Sequence, residues 1–215
     1  DVDIKKVDDA PQLQIKGDKF DDAINIDDKY MAGAEIINQI EDLFDVPNAI
    51  VVKNNEGLVS EINSIQKNEN IEKAASKFKL GGIYIYNKVF VNTEWNDNAI
   101  DLQKTWLHEN THRSIASEVS REELLNMYNS LSKKDKEIPV EYKNKSDYEK
   151  AQEVVAFAAQ NLLNNHSIED IANGKIDLSL YPEPLQKVLT TVLNHITNGK
   201  LNDGISNREG QSRNS

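Results

Sequence analysis

The chain has no cysteine, only five prolines and nine glycines in 215 residues, and few aromatics, at 7%. Without cysteine there are no disulfides and no thiolate metal ligands. The compartment stays undecided, because a disulfide-free protein is stable inside or outside the cell. No run of about 18 apolar residues occurs, which excludes an apolar transmembrane helix. Basic clusters are also missing, and the formal charge is −11. That balance argues against nucleic acid and anionic membranes as partners. The opening Asp-Val-Asp-Ile-Lys is not a signal peptide and carries no initiator Met, as expected of a processed chain or a piece of a longer one. The apolar fraction of 38% is enough for one core in a chain of this size.

Histidine is scarce as well, at four residues, yet two of them stand four apart in His108-Glu-Asn-Thr-His112. This is the HExxH pattern. On a helix, residues four apart share a face, so both imidazoles can reach one Zn²⁺. Glu109 then lies beside the metal, placed to take a proton from water. The alternative is a surface helix with two solvated histidines. The flanks favour a buried helix over Asn98–Ser117. Asn96, Asp97 and Asn98 offer N-cap oxygens. Leu102, Trp106 and Leu107 precede the motif, and Ile115, Ala116 and Val119 continue the face of His112. Trp106 reads as core. Ser120 and Glu123 form a capping box that starts a new helix near Arg121.

Elsewhere the pattern predicts a helix over Met31–Phe44, a buried strand at Ala49–Lys53 and a polar helix or pair of turns over Glu61–Phe78. Gly81-Gly82 ends that stretch. Ile83–Asn92 carries the strongest β signal, either as a hairpin turning at Asn87-Lys88 or as one continuous strand. Helices follow at about 121–131, 147–163, 168–173 and 183–198, with a charged loop at 132–145. Pro184 suits a first turn and Gly199 a helix stop. Residues 1–27 read as an arm or linker and 203–215 as a disordered tail, leaving 28–202 as the domain. The expected class is α+β: a mainly helical domain with a small β-sheet packed on the HExxH helix.

A catalytic zinc site needs a third protein ligand. Arg113–Val119 contains neither Gly nor His, so the metzincin spacing is out. A carboxylate from the helix at 147–163 remains, either Glu149 or Glu153. Ser146 and Glu149 form a capping box, which gives Glu149 a local task. Glu153 stands at the edge of the all-apolar run Val154–Ala159, where a buried carboxylate needs a partner. The competing reading makes Glu153 an exposed glutamate favoured by the helix dipole.

Leu107-His-Glu-Asn-Thr-His112 followed by Glu153-Val-Val-Ala-Phe-Ala-Ala-Gln-Asn-Leu162 resembles the gluzincin metallopeptidases, the ImmA/IrrE type among them. A weaker likeness is to metallopeptidase modules of phages and mobile elements. The resemblance covers about residues 49–163. It implies a zincin-like fold, a Zn²⁺ held by His108, His112 and Glu153, and Ile83–Asn92 as an edge strand of the sheet. Two departures stand out. Thr111 occupies a position that is often Gly or Ala, and the stretch from His112 to Glu153 is long. The activity implied is cleavage of a protein or peptide substrate, with Glu109 as general base, in the bacterial cytoplasm or after export. Tyr142, Tyr148 and His166 are candidates for an oxyanion donor, and His195 reads as a surface or packing residue. Two other classes stay open: a zinc-stabilised module without activity, and an effector domain whose site is occluded.

Overall fold

The computed structural model describes residues 25–201. The tail expected at 203–215 and nearly all of the arm expected at 1–27 lie outside them. Asn25 caps the first helix, α1 (Ile26–Glu41), by accepting from the backbone of Asp27 and Asp28. This helix starts five residues earlier than the apolar periodicity suggested, because the cap and two first-turn aspartates outweigh an exposed first turn. Its face of Ile36, Ile37 and Ile40 is buried.

A three-stranded sheet follows, built from β1 (Ile50–Val52), β2 (Gly82–Ile85) and β3 (Lys88–Asn92) in the order β1-β3-β2. β3 is central. It runs parallel to β1, with Ile50 opposite Phe90, and antiparallel to β2, with Ile83 opposite Phe90. The hairpin alternative is therefore the correct one, but its turn is Tyr86-Asn87, one residue before the expected Asn87-Lys88. Both turn residues have positive φ, 52° and 59°, as a type I′ turn requires. Asn tolerates that backbone; Tyr86 is held there by a hydrogen bond that its hydroxyl accepts from Asn68 at 3.0 Å. Lys88 is left in the strand.

Alternation sorts the sheet into two faces. Val89, Val91 and Tyr84 join the main core, while Phe90, Val52, Ile83 and Ile85 pack on Leu58 and Ile62. Leu58 and Ile62 belong to α2 (Asn55–Ile65), which is followed by α3 (Glu69–Ala75). Asn54, just after β1, opens α2 by accepting from Gly57 N at 2.9 Å. Of the expected polar helix or pair of turns over Glu61–Phe78, the pair is the nearer: α2 begins earlier, at Asn55, and α3 ends at Ala75.

The centre of the domain is α4 (Ala99–Glu118), capped by Asn98. It packs against α1, the sheet, α6 (Asp147–Asn161) and α8 (Glu183–Ile196). Surrounded so, it buries polar side chains, which satisfy themselves on the preceding turn. Asn110, Thr111 and Ser114 donate to the carbonyls of Trp106, Leu107 and Asn110 at 3.0, 2.8 and 2.9 Å. This is how the Thr111 hydroxyl is satisfied in the interior. Trp106 is core, fully buried against Phe44 and donating to Glu41 Oε1 at 3.3 Å.

α5 (Arg121–Ser130) starts at the Ser120 cap and packs on α6 and α8. α7 (Ile168–Ala172) is a short link. α8 ends in positive-φ Asn198 and Gly199, as the Gly stop predicted. The fold is α+β, mainly helical with one small sheet on α4. Among the described residues no helix is long and apolar enough to cross a membrane.

Candidate metal centre

α4 and α6 lie side by side and bring three expected residues together. His108 Nε2 and His112 Nε2 are 3.2 Å apart, and Glu153 Oε2 lies 3.4 and 3.7 Å from them. A tetrahedral site with metal–ligand distances of about 2.0–2.1 Å separates its ligand atoms by roughly 3.3 Å, close to the spacing here. The donors are oriented from behind. His108 Nδ1–H donates to Gln160 Oε1 at 2.9 Å, which leaves Nε2 for the centre. Phe157 stacks edge-on against the His108 ring, with centroids 4.9 Å apart.

Glu153 is only 6% exposed, and its Oε2 makes no well-formed hydrogen bond, facing only the two imidazoles. An unpartnered carboxylate oxygen in that setting costs free energy unless a cation faces it. Burial, the largest influence, works against the charged form of both Glu153 and His108. Their mutual contact outweighs it, holding the Glu153 carboxyl well below the usual carboxylate range and raising His108. Two imidazole nitrogens and one buried carboxylate oxygen converge in a way that fits a divalent metal.

With the geometry in view, the comparisons add no relative: the chain has no significant match among family models, curated proteins or solved structures.

Glu109, next on the helix, faces the sheet. A Cβ added at Gly82 would fall 3.0 Å from Glu109 Cγ, 2.5 Å from Thr105 Cγ2 and 3.2 Å from the Phe90 carbonyl. The glycine therefore lets β2 lie directly against the motif helix. Asparagines fix this approach. Asn96 donates to the Gly81 and Asn92 carbonyls and accepts from Thr105 at 2.7 Å, and Asn92 donates to the Leu80 carbonyl. Gly82→Ala should destabilise the fold by about 1–3 kcal/mol through overpacking. Urea melts of the two proteins check this; equal midpoints would show that the strand is free to move.

Glu149 stays at its cap. It accepts from Ser146 N and Oγ at 2.9 and 2.6 Å, bonds that lower its pKa, and it takes no part in the cluster. Glu149→Ala should cost about 1 kcal/mol of stability and leave metal content unchanged. Loss of metal in that variant, measured by elemental analysis, would reassign the third ligand.

Of the three hydroxyl and imidazole candidates, only Tyr142 lies beside the cluster. Its ring packs on Phe157 at 5.6 Å. Burial, together with the Glu153 and Glu109 carboxylates, pushes its pKa up to about 12, so the phenol remains a donor. Tyr148 sits under Arg121, and His166 accepts from Asp177 N at 3.4 Å. His195 bonds Ser114 at 2.8 Å on the α8 side.

Two participants had escaped the sequence reading. Gln160 stands seven residues after Glu153, two turns along the same face, so that spacing was a usable signal. Lys145 donates to Glu153 Oε1 at 3.3 Å from the loop before α6, and no helical spacing pointed to it.

Proposed function

We propose that this chain is a zinc-dependent endopeptidase of gluzincin type on a zincin-like fold. The observation that carries the reading is the close, near-tetrahedral spacing of two imidazole nitrogens and one buried carboxylate oxygen. His108, His112 and Glu153 would hold the metal. Zinc, when bound, supplies Lewis acidity toward the scissile carbonyl and makes water more acidic. Glu109 takes a proton from the attacking water and returns it to the leaving amine. The Tyr142 hydroxyl donates to the developing oxyanion.

β2 receives the substrate. It is an edge strand of the sheet, paired on one side only among the described residues, and it lies against Glu109. An extended peptide adding to that edge gains backbone hydrogen bonds and brings a carbonyl toward the metal. Ile83 and Ile85 face away from α4, while Gly82 and Tyr84 lie on the side of the site.

The test is elemental analysis of protein produced with zinc supplied, together with a fluorogenic peptide library. The expected result is about one zinc per chain and chelator-sensitive cleavage. A metal-free chain at neutral pH would overturn the reading. Zinc without cleavage of any peptide would leave a metal that serves stability alone.

A further inference from the structure

We propose that Lys145 is a positioning residue that restricts Glu153 to a single ligating oxygen. The inference rests on the metal reading above. Glu153 has two oxygens in different situations. Oε1 accepts from Lys145 Nζ at 3.3 Å. Oε2 faces the two imidazoles with no hydrogen bond of its own. Glu153 is nearly buried, so each oxygen has few other neighbours to choose from.

Lys145 is well placed to hold this division. The next residue, Ser146, caps α6 through a reciprocal capping box with Glu149, which pins the backbone at the root of the lysine. Its own backbone N–H donates to the Tyr142 carbonyl at 3.1 Å, and its ammonium lies 5.0 Å from the centre of the Tyr142 ring. The side chain therefore reaches Glu153 over an aromatic surface, with 38% of it exposed. Other lysines near α6 do not share this role: Lys150 pairs with Asp147 at 3.6 Å.

The physical consequence is twofold. Holding Oε1 stops the carboxylate from closing both oxygens on the metal, so a position stays open for substrate or water. The ammonium also draws charge from the ligating carboxylate, which keeps the metal a stronger Lewis acid.

Cobalt(II) in place of zinc reports coordination number through its visible bands, which weaken and move to shorter wavelength as ligands are added. Wild type, Lys145→Met, Lys145→Arg and Lys150→Met are loaded with cobalt and compared by absorption. The expected result is one cobalt per chain in all four, with weakened bands in Lys145→Met alone. Lys145→Arg keeps both charge and donor and should match wild type. A Lys145→Met spectrum that superimposes on wild type would overturn the proposal and leave the metal site standing. A folded Lys145→Met chain that takes no cobalt overturns it too, since releasing Oε1 should add a ligand. Wild type that takes no cobalt brings down both readings together.

Discussion

Glu153→Ala should leave the chain folded and remove its hold on zinc. Alanine suits the interior of α6, and the substitution takes away a buried charge, not a packing contact. Without metal the variant also loses the contacts of Glu153 with His108 and Lys145, so it should melt below wild type. With metal the two should part further. Zinc present at about 1,000 times its dissociation constant raises wild-type stability by about 4 kcal/mol. Even outer partners of metal ligands contribute about 10–100-fold in affinity, so losing a direct ligand should exceed 100-fold and erase most of that gain. His108→Ala should lose the metal equally, and it leaves the Glu153 carboxylate facing His112 and Lys145 only, so its metal-free form should also melt below wild type. Chelator competition and paired melts with and without zinc measure both effects. Zinc binding of wild-type strength in Glu153→Ala would end the ligand assignment.

The same cluster sets a pH signature. Without metal, His108 has a raised pKa, so its contribution is full below its unfolded value of 6.5 and is lost as pH rises through the folded value. Glu153 has a lowered one, so its contribution is present above 4.5 and is lost as pH falls through the folded value. The metal-free cluster thus supports the fold best between 4.5 and 6.5. Zinc displaces protons from the imidazoles, so the melting shift it causes should grow as pH rises above that window.

Much of this was legible because helical spacing converts directly into shared faces. The four-residue step from His108 to His112 and the apolar run after Glu153 together implied which two helices must meet. What stayed hidden came from outside that periodicity. Asn54-Asn55 before Gly57 satisfies a turn and a helix cap equally, and only the packing of Leu58 and Ile62 on Phe90 decides for the helix. Of the segment Ile83–Asn92 expected at the sheet edge only β2 lies there, while β3 is central, because β3 pairs in parallel with β1, forty residues apart in register. Local pattern carries no such information. Lys145 reaches Glu153 from a loop, where no repeat relates the two.

Glu109→Gln should keep zinc and lose hydrolysis. Glu109 is not among the three converging donors, so metal content should stay near one per chain. Glutamine has the same shape, so the close contact with Gly82 and the seat of β2 are preserved. What changes is the loss of a carboxylate able to accept a proton from water and deliver it to the amine. General acid–base catalysis contributes about 10²–10⁴-fold, and a base that serves both steps should sit at the upper end of that range. Substrate affinity should change little, because pairing at the β2 edge uses backbone groups. A fall in kcat with KM held, at unchanged zinc content and melting temperature, is the expected pattern. A variant that cleaves as fast as wild type would move the proton transfer to another group. In that event Tyr142 could not replace it, because a phenol with its pKa near 12 is a donor and not a base at neutral pH.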